Sequence, residues 1–127
     1  ELEDCGEYVG ELSIKTSSLK KKAQFLSGGN QQKVVIAKWL NRSPKILILD
    51  EPTRGVDVGA KFEIYHILEE EAKQGKGLFV ISSELDEIMG LCDRILVIRK
   101  GKIVGELSHE EFTKERLLES SMGGQEK

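Results

Sequence analysis

Apolar positions along this chain come in short bursts whose period changes from segment to segment. Residues 1–25 show little periodicity and end near the cation run Lys20-Lys21-Lys22. They read as the remnant of a helical region followed by a linker, with the lysines on a solvated face. From Ser27 the pattern sharpens. A small polar stretch, Ser27-Gly28-Gly29-Asn30, leads into Val34, Val35, Ile36, Ala37, Trp39 and Leu40. This start predicts a helix capped by Ser27, running to about Asn41 and stopped by Ser43-Pro44. Apolar residues on most of its sides predict that it is largely buried, with Trp39 in the packed core.

Ile46-Leu47-Ile48-Leu49 is an unbroken apolar run of strand length, the pattern of a strand covered on both faces, as in a parallel sheet. Residues 53–59 read as a loop. Val58, Phe62, Tyr65, Leu68 and Ala72 then recur at helical spacing up to Gly75 and Gly77, with Phe62, Tyr65 and Leu68 on the core face. Leu78-Phe79-Val80-Ile81 is a second buried strand, 84–91 a short helix, and Ile95-Leu96-Val97-Ile98 a third strand. Lys100-Gly101-Lys102 is a tight turn into 103–107, so the last two strands form a hairpin. A charged helix over 109–119 and a tail over 120–127 close the chain. Strands alternating with helices predict an α/β fold with a mainly parallel sheet flanked by helices.

Composition narrows the class. The chain has 127 residues, 39% of them apolar and 32% charged, with 19 Lys+Arg against 22 Asp+Glu for a net charge of −3. This suits a folded domain and supplies no basic footprint for nucleic acid. No apolar run approaches the ~20 residues that span a bilayer. Cys5 and Cys92 lack C-x-x-C or zinc-like spacing, so reduced thiols are expected. His66 and His109 have no second metal-ligand candidate at useful spacing, and Glu69-Glu70-Glu71 reads as surface. The chain opens without Met and is expected to be part of a longer protein.

Two constellations carry chemistry. In Leu26-Ser27-Gly28-Gly29-Asn30-Gln31-Gln32, glycines at a helix start allow close approach, and unpaired first-turn N–H groups with the helix dipole attract an anion such as phosphate. A capped helix with a flexible entry loop is the plainer alternative. In Asp50-Glu51-Pro52, a buried strand ends in two adjacent carboxylates whose side chains face opposite ways. Pro52 is expected to keep Glu51 extended. One acid can hold a hydrated magnesium ion and the other can orient or deprotonate a water. A solvated strand end is the alternative here.

Taken together, in order and spacing, these segments resemble the ATP-binding-cassette ATPases over about residues 20–107. The 26–32 segment resembles the family's signature motif, 46–51 its Walker B strand, Gly55-Val56-Asp57 its D-loop, and 81–87 its switch-histidine region. The wording around Asn30-Gln31-Gln32-Lys33-Val34 and 51–61 is similar to the second cassette of tandem ATPases in bacterial monosaccharide importers of the ribose, galactose and xylose type.

The resemblance implies a P-loop NTPase-like core using ATP and magnesium, whose cassettes pair head to tail. Ser27, Gly28 and Gly29, with Asn30 and Gln31 beside them, would meet the γ-phosphate of a nucleotide on a partner cassette. Asp50 would act on magnesium through water, Glu51 would be the general base, and Asp57 would couple the two sites. Membrane permease subunits and, indirectly, a sugar-binding protein would be further partners, with the ATPase peripheral at the cytoplasmic face of a bacterial inner membrane.

Two departures stand out. No G-x-x-x-x-G-K-[ST] occurs, so the phosphate-loop half of the core is missing from this stretch. The switch position holds Ser83, which can donate to a phosphate but carries no charge. The chain alone is expected to turn ATP over negligibly and to self-associate through exposed sheet. Two alternatives stay open: an idle regulatory cassette that binds ATP and completes its partner's site, and a soluble cassette ATPase of DNA repair or translation.

Overall fold

The computed structural model describes residues 2–122. The chain packs as two compact units that divide between Ile81 and Ser82. The N-terminal unit begins with α1 (Leu2–Glu11) and a connector that includes a 3-10 turn at Ala23–Phe25. It continues through α2 (Gly28–Leu40), β1 (Ile46–Asp50), α3 (Val58–Lys73) and β2 (Gly77–Ile81). The C-terminal unit holds α4 (Leu85–Leu91), β3 (Arg94–Arg99), β4 (Lys102–Ser108), a 3-10 turn at His109–Glu111 and α5 (Lys114–Met122).

Local chemistry sets the boundaries. Ser27 caps α2, its side chain accepting from the Asn30 amide. Asp57 caps α3 by accepting from the Ala60 amide at 3.0 Å, so the helix starts at Val58 and the expected loop is shorter than 53–59. Gly75, at φ +90°, ends α3 in the left-handed conformation that glycine adopts freely. The charged helix expected over 109–119 is instead a short turn and a separate helix. Thr113 Oγ1 accepts the Arg116 amide at 3.1 Å and restarts the chain as α5. The predicted tail is helical as far as Met122, and its 123–127 part lies outside the described residues.

β1 and β2 pair in parallel, with Ile48 opposite Phe79 and Asp50 opposite Ile81. β3 and β4 form the expected antiparallel hairpin, with Lys100 and Gly101 both left-handed at the turn (φ 49° and 74°) and a register shift between Val97 and Ile98. Among the described residues these are two separate two-stranded sheets.

Burial departs from the pattern in four places. The 46–49 run is covered on one face: Leu47 is buried, whereas Ile46 and Ile48 are each 68% exposed. β2 follows suit, with Phe79 and Ile81 exposed. In α2 a single stripe is buried, Gly29, Lys33, Ile36, Ala37 and Leu40, while Val35 faces out and Trp39 is 51% exposed beside the Lys38 ammonium. In α3 the buried residues are Ile64, Ile67 and Leu68. Phe62 is exposed, Tyr65 is half-buried, and their rings meet edge to face. The reason is common to all four. An apolar run states that a side chain gains by being covered, but helix rotation and the number of covering layers decide which ones are.

Candidate functional site

The start of α2 is held by its own side chains. Asn30 Nδ2 donates to Ser27 Oγ at 2.8 Å, and the Asn30 amide reaches the same oxygen at 3.4 Å. Asn30 Oδ1 accepts the Lys15 amide at 2.9 Å. Gln31 Nε2 turns back to the carbonyls of Gln24 and Leu26 at 3.3 and 3.2 Å. Both side-chain amides therefore brace the entry loop. What is left facing outward is the exposed Ser27 and the exposed Gly28, with first-turn N–H groups that have no intrahelical acceptor.

The two glycines differ. A Cβ on Gly28 would meet only the Gly55 carbonyl, at an ordinary 3.7 Å. Gly29 is buried, and a Cβ there would sit 2.5 Å from Ala60 Cβ. Gly29 thus lets the starts of α2 and α3 touch, whereas nothing around Gly28 crowds the position.

At the tip of β1, Asp50 is exposed and Glu51 half-buried. Glu51 is not extended: its φ is +47°. Pro52 disfavours a right-handed helical conformation at Glu51 but leaves the left-handed one open. The Glu51 amide donates to the Ile81 carbonyl at 2.8 Å, and the Arg54 amide returns to the Glu51 carbonyl at 3.2 Å. Pro52 and Thr53 are buried just beyond. A left-handed non-glycine residue costs roughly 1–3 kcal/mol and persists where its surroundings over-determine it.

A cavity of about 170 Å³ gathers Ser27, Asn30 and Asp57 with Lys15, Lys33 and Glu63. The signature-like and D-loop-like segments thus share one wall, and the acid pair precedes the second of them in the chain with three residues between. Asp57 has its carboxylate committed to capping α3. Ser83 lies exposed in the bend before α4, in the C-terminal unit, where Ser82 Oγ accepts the Glu84 amide at 3.0 Å. A larger cavity of about 400 Å³ between α1, the connector and α2 includes neither acid of the pair.

Lys33 is the residue that sequence reasoning passed over. It is 1% exposed, bonds the Ser13 carbonyl at 3.2 Å and pairs with the Glu63 carboxylate. Burial first, then the like charge of Lys15, pull its ammonium below the usual lysine range, while Asp57 pushes the other way. The signal was present in the helical period, because Lys33 falls in the stripe that begins at Gly29 and runs through Ile36 and Leu40.

The donor set suits magnesium and a polyphosphate. No three of His, Cys, Asp and Glu converge among the described residues. The exposed Asp50 carboxylate fits an ion that takes one or two carboxylates and keeps several of its waters.

Similarity to known proteins agrees with this chemistry. The profile of a family described as "ABC transporter" matches residues 1–54. The xylose import ATP-binding protein of Geobacillus kaustophilus is 54% identical over 98% of this chain and 25% of its own length. The ribose import ATP-binding protein of Bacillus subtilis is 54% identical over 91% of this chain and 24% of its own. The chain thus spans about a quarter of the length of these curated relatives. The solved ADP conformation of MJ1267, an ATP-binding cassette of an ABC transporter, is 30% identical with a TM-score of 0.77, over 96% of this chain and 50% of that one. The glycine-opened helix, the acidic strand tip and these likenesses converge: the chain belongs to the ABC transporter ATPase family.

Proposed function

We propose that this chain supplies the signature, Walker B and D-loop elements of an ATPase that powers sugar import. The observation that carries the reading is the acidic tip of β1, where Asp50 is exposed and Glu51 is held in a left-handed conformation. The import proteins it resembles favour this role over DNA repair or translation.

Magnesium, when bound, neutralises charge on the phosphates. Asp50 is the residue that would hold it. Glu51, held by its backbone in a left-handed conformation, accepts a proton from the attacking water. Ser27 and the backbone of Gly28 donate to the terminal phosphate of a nucleotide on a facing cassette, and such preorganised donors stabilise the charge of a loose transition state. Asp57, bound to the start of α3, links the two sites. The paired cassette, permease subunits and a sugar-binding protein are the partners this role requires, and its place is the cytoplasmic face of the membrane. No described helix is long and apolar enough to cross one.

The test is Glu51→Gln in the natural protein containing this chain. Turnover is expected to fall about a hundredfold or more, the size of a lost general base, while ATP binding persists. A second reading is favoured by Ser83, an uncharged hydroxyl at the switch position: an idle site that completes its partner. On that reading Glu51→Gln barely changes turnover, whereas Ser27→Arg abolishes it.

A further inference from the structure

We propose that Lys33 is a positioning residue: with Glu63 and the Ser13 carbonyl it forms a polar latch that fixes the phosphate-facing start of α2 to the Asp57-capped start of α3. The inference rests on the nucleotide reading above and adds to it a group that touches no nucleotide.

Three segments meet at one ammonium. Lys33 lies on α2, one turn beyond Asn30. Its Nζ donates to the Ser13 carbonyl at 3.2 Å and pairs with Glu63 on α3. The lysine end is enclosed, at 2% side-chain exposure, and the glutamate end is half open, at 45%. Ser13 is itself left-handed, at φ +49°, a conformation that lasts only where neighbours impose it. Two residues on, the Lys15 amide holds Asn30 Oδ1 at 2.9 Å. The connector is therefore tied to α2 both at the phosphate-facing turn and one turn behind it.

The same two-level arrangement joins the helices. Gly29 and Ala60 touch at the first level, and Lys33 and Glu63 pair at the second, each residue one turn further along its helix. A single apolar contact sets a distance but leaves two helices free to roll. A second, directional, charge-assisted contact removes that freedom. Ser27, Gly28 and Asp57 then stand on one rigid frame. An apolar pair would fill the space at lower desolvation cost, so the ionic choice points to register rather than stability.

Two readouts test this. In the 127-residue chain without nucleotide, amide exchange is followed at Gln31 and Lys61, which bond the Ser27 and Asp57 carbonyls at 2.8 and 2.9 Å. Lys33→Met is expected to speed exchange at both by about tenfold relative to the β3–β4 hairpin. Unchanged exchange at Lys61 overturns the latch. Glu63→Gln, at a half-open position, is the milder variant should Lys33→Met not fold, and it must loosen the same two amides. The second readout is turnover in the natural protein. The pair Lys33→Met/Glu63→Leu is expected to recover the melting temperature yet lose about tenfold in kcat, with KM for ATP within about twofold. A kcat that returns with stability, or is not restored by Lys33→Arg, makes Lys33 a packing residue and overturns the proposal. If the native protein turns over no ATP, the nucleotide reading fails, and the exchange arm still decides the latch.

Discussion

The two units bury their apolar residues by different routes. In the C-terminal unit, Ile95, Val97, Leu107 and Leu117 form a cluster flanked by Leu85, Ile88, Met89, Cys92 and Phe112, all contributed by a hairpin and the segments on either side of it. Its ion pairs, Arg94–Glu106, Lys114–Asp86 and Arg116–Glu111, are exposed and contribute little. In the N-terminal unit the deeply buried side chains include Ile36, Ile64 and Leu68 on two helices, Pro52 and Thr53 in the loop beyond β1, and the charged Lys33, while one face of the parallel strand pair stands open. An antiparallel hairpin can close a core with its neighbours in sequence. A parallel pair needs layers on both faces, and those come from further away. The unit with the less complete core is also the one that carries the exposed carboxylate and the open helix start.

The sharpest way to break this comparison uses one residue type at two positions. Ile64 is 0% exposed and Ile48 68%. Ile64→Ala is expected to cost about 2–5 kcal/mol in denaturant unfolding, and Ile48→Ala under about 0.5 kcal/mol. Equal losses would mean that the open face is covered in solution. Next in size is Gly29→Ala, whose methyl would crowd Ala60. It should cost about 1–3 kcal/mol, most of which Ala60→Gly restores, whereas Gly28→Ala is tolerated. A melting temperature that Ala60→Gly fails to rescue would remove Gly29 from the helix–helix contact.

Smaller in stability but plain in mass is the pair Ile48→Ser/Phe79→Ser. It is expected to leave unfolding nearly unchanged and to shift the chain toward monomer in light scattering. A parent chain that is already monomeric at high concentration would sink the expectation of self-association. The smallest effect belongs to the C-terminal unit. Glu111 accepts from the Ser108 amide and hydroxyl, each at 3.0 Å, which holds its carboxyl below the usual glutamate range, with Arg116 adding to the effect. The folded state therefore binds this proton less readily than the unfolded one. The contribution is fully present above the ordinary glutamate pKa and disappears as the pH falls through the lowered value. The Ser108 amide shift should follow that acid titration, and Glu111→Gln should flatten it.

Much of the architecture was legible because it is encoded by local signals. Ser27 as a cap, Gly75 as a stop and Lys100-Gly101-Lys102 as a tight turn each follow from local preferences of the chain. The acid pair was legible as well, since an apolar run ending in Asp-Glu puts both carboxylates at a strand tip. Trp39 and Phe62 were misread because period alone does not tell a buried stripe from an apolar flank. Glu51 was misread because Pro52 excludes one backbone region without choosing between the others. The separate roles of Gly28 and Gly29 were invisible, because Ala60 is distant in sequence.

From the order of its residues alone, this chain determines the succession of helices and strands, which strand tip is acidic and which helix start is open. Those properties depend on backbone preferences within a few residues. Tertiary structure decided that one face of β1 stays bare, that Gly29 is spent on packing, and that Lys33 is enclosed with Glu63. These depend on contacts between residues about thirty positions apart, where the geometry of approach, and not local preference, sets the free energy.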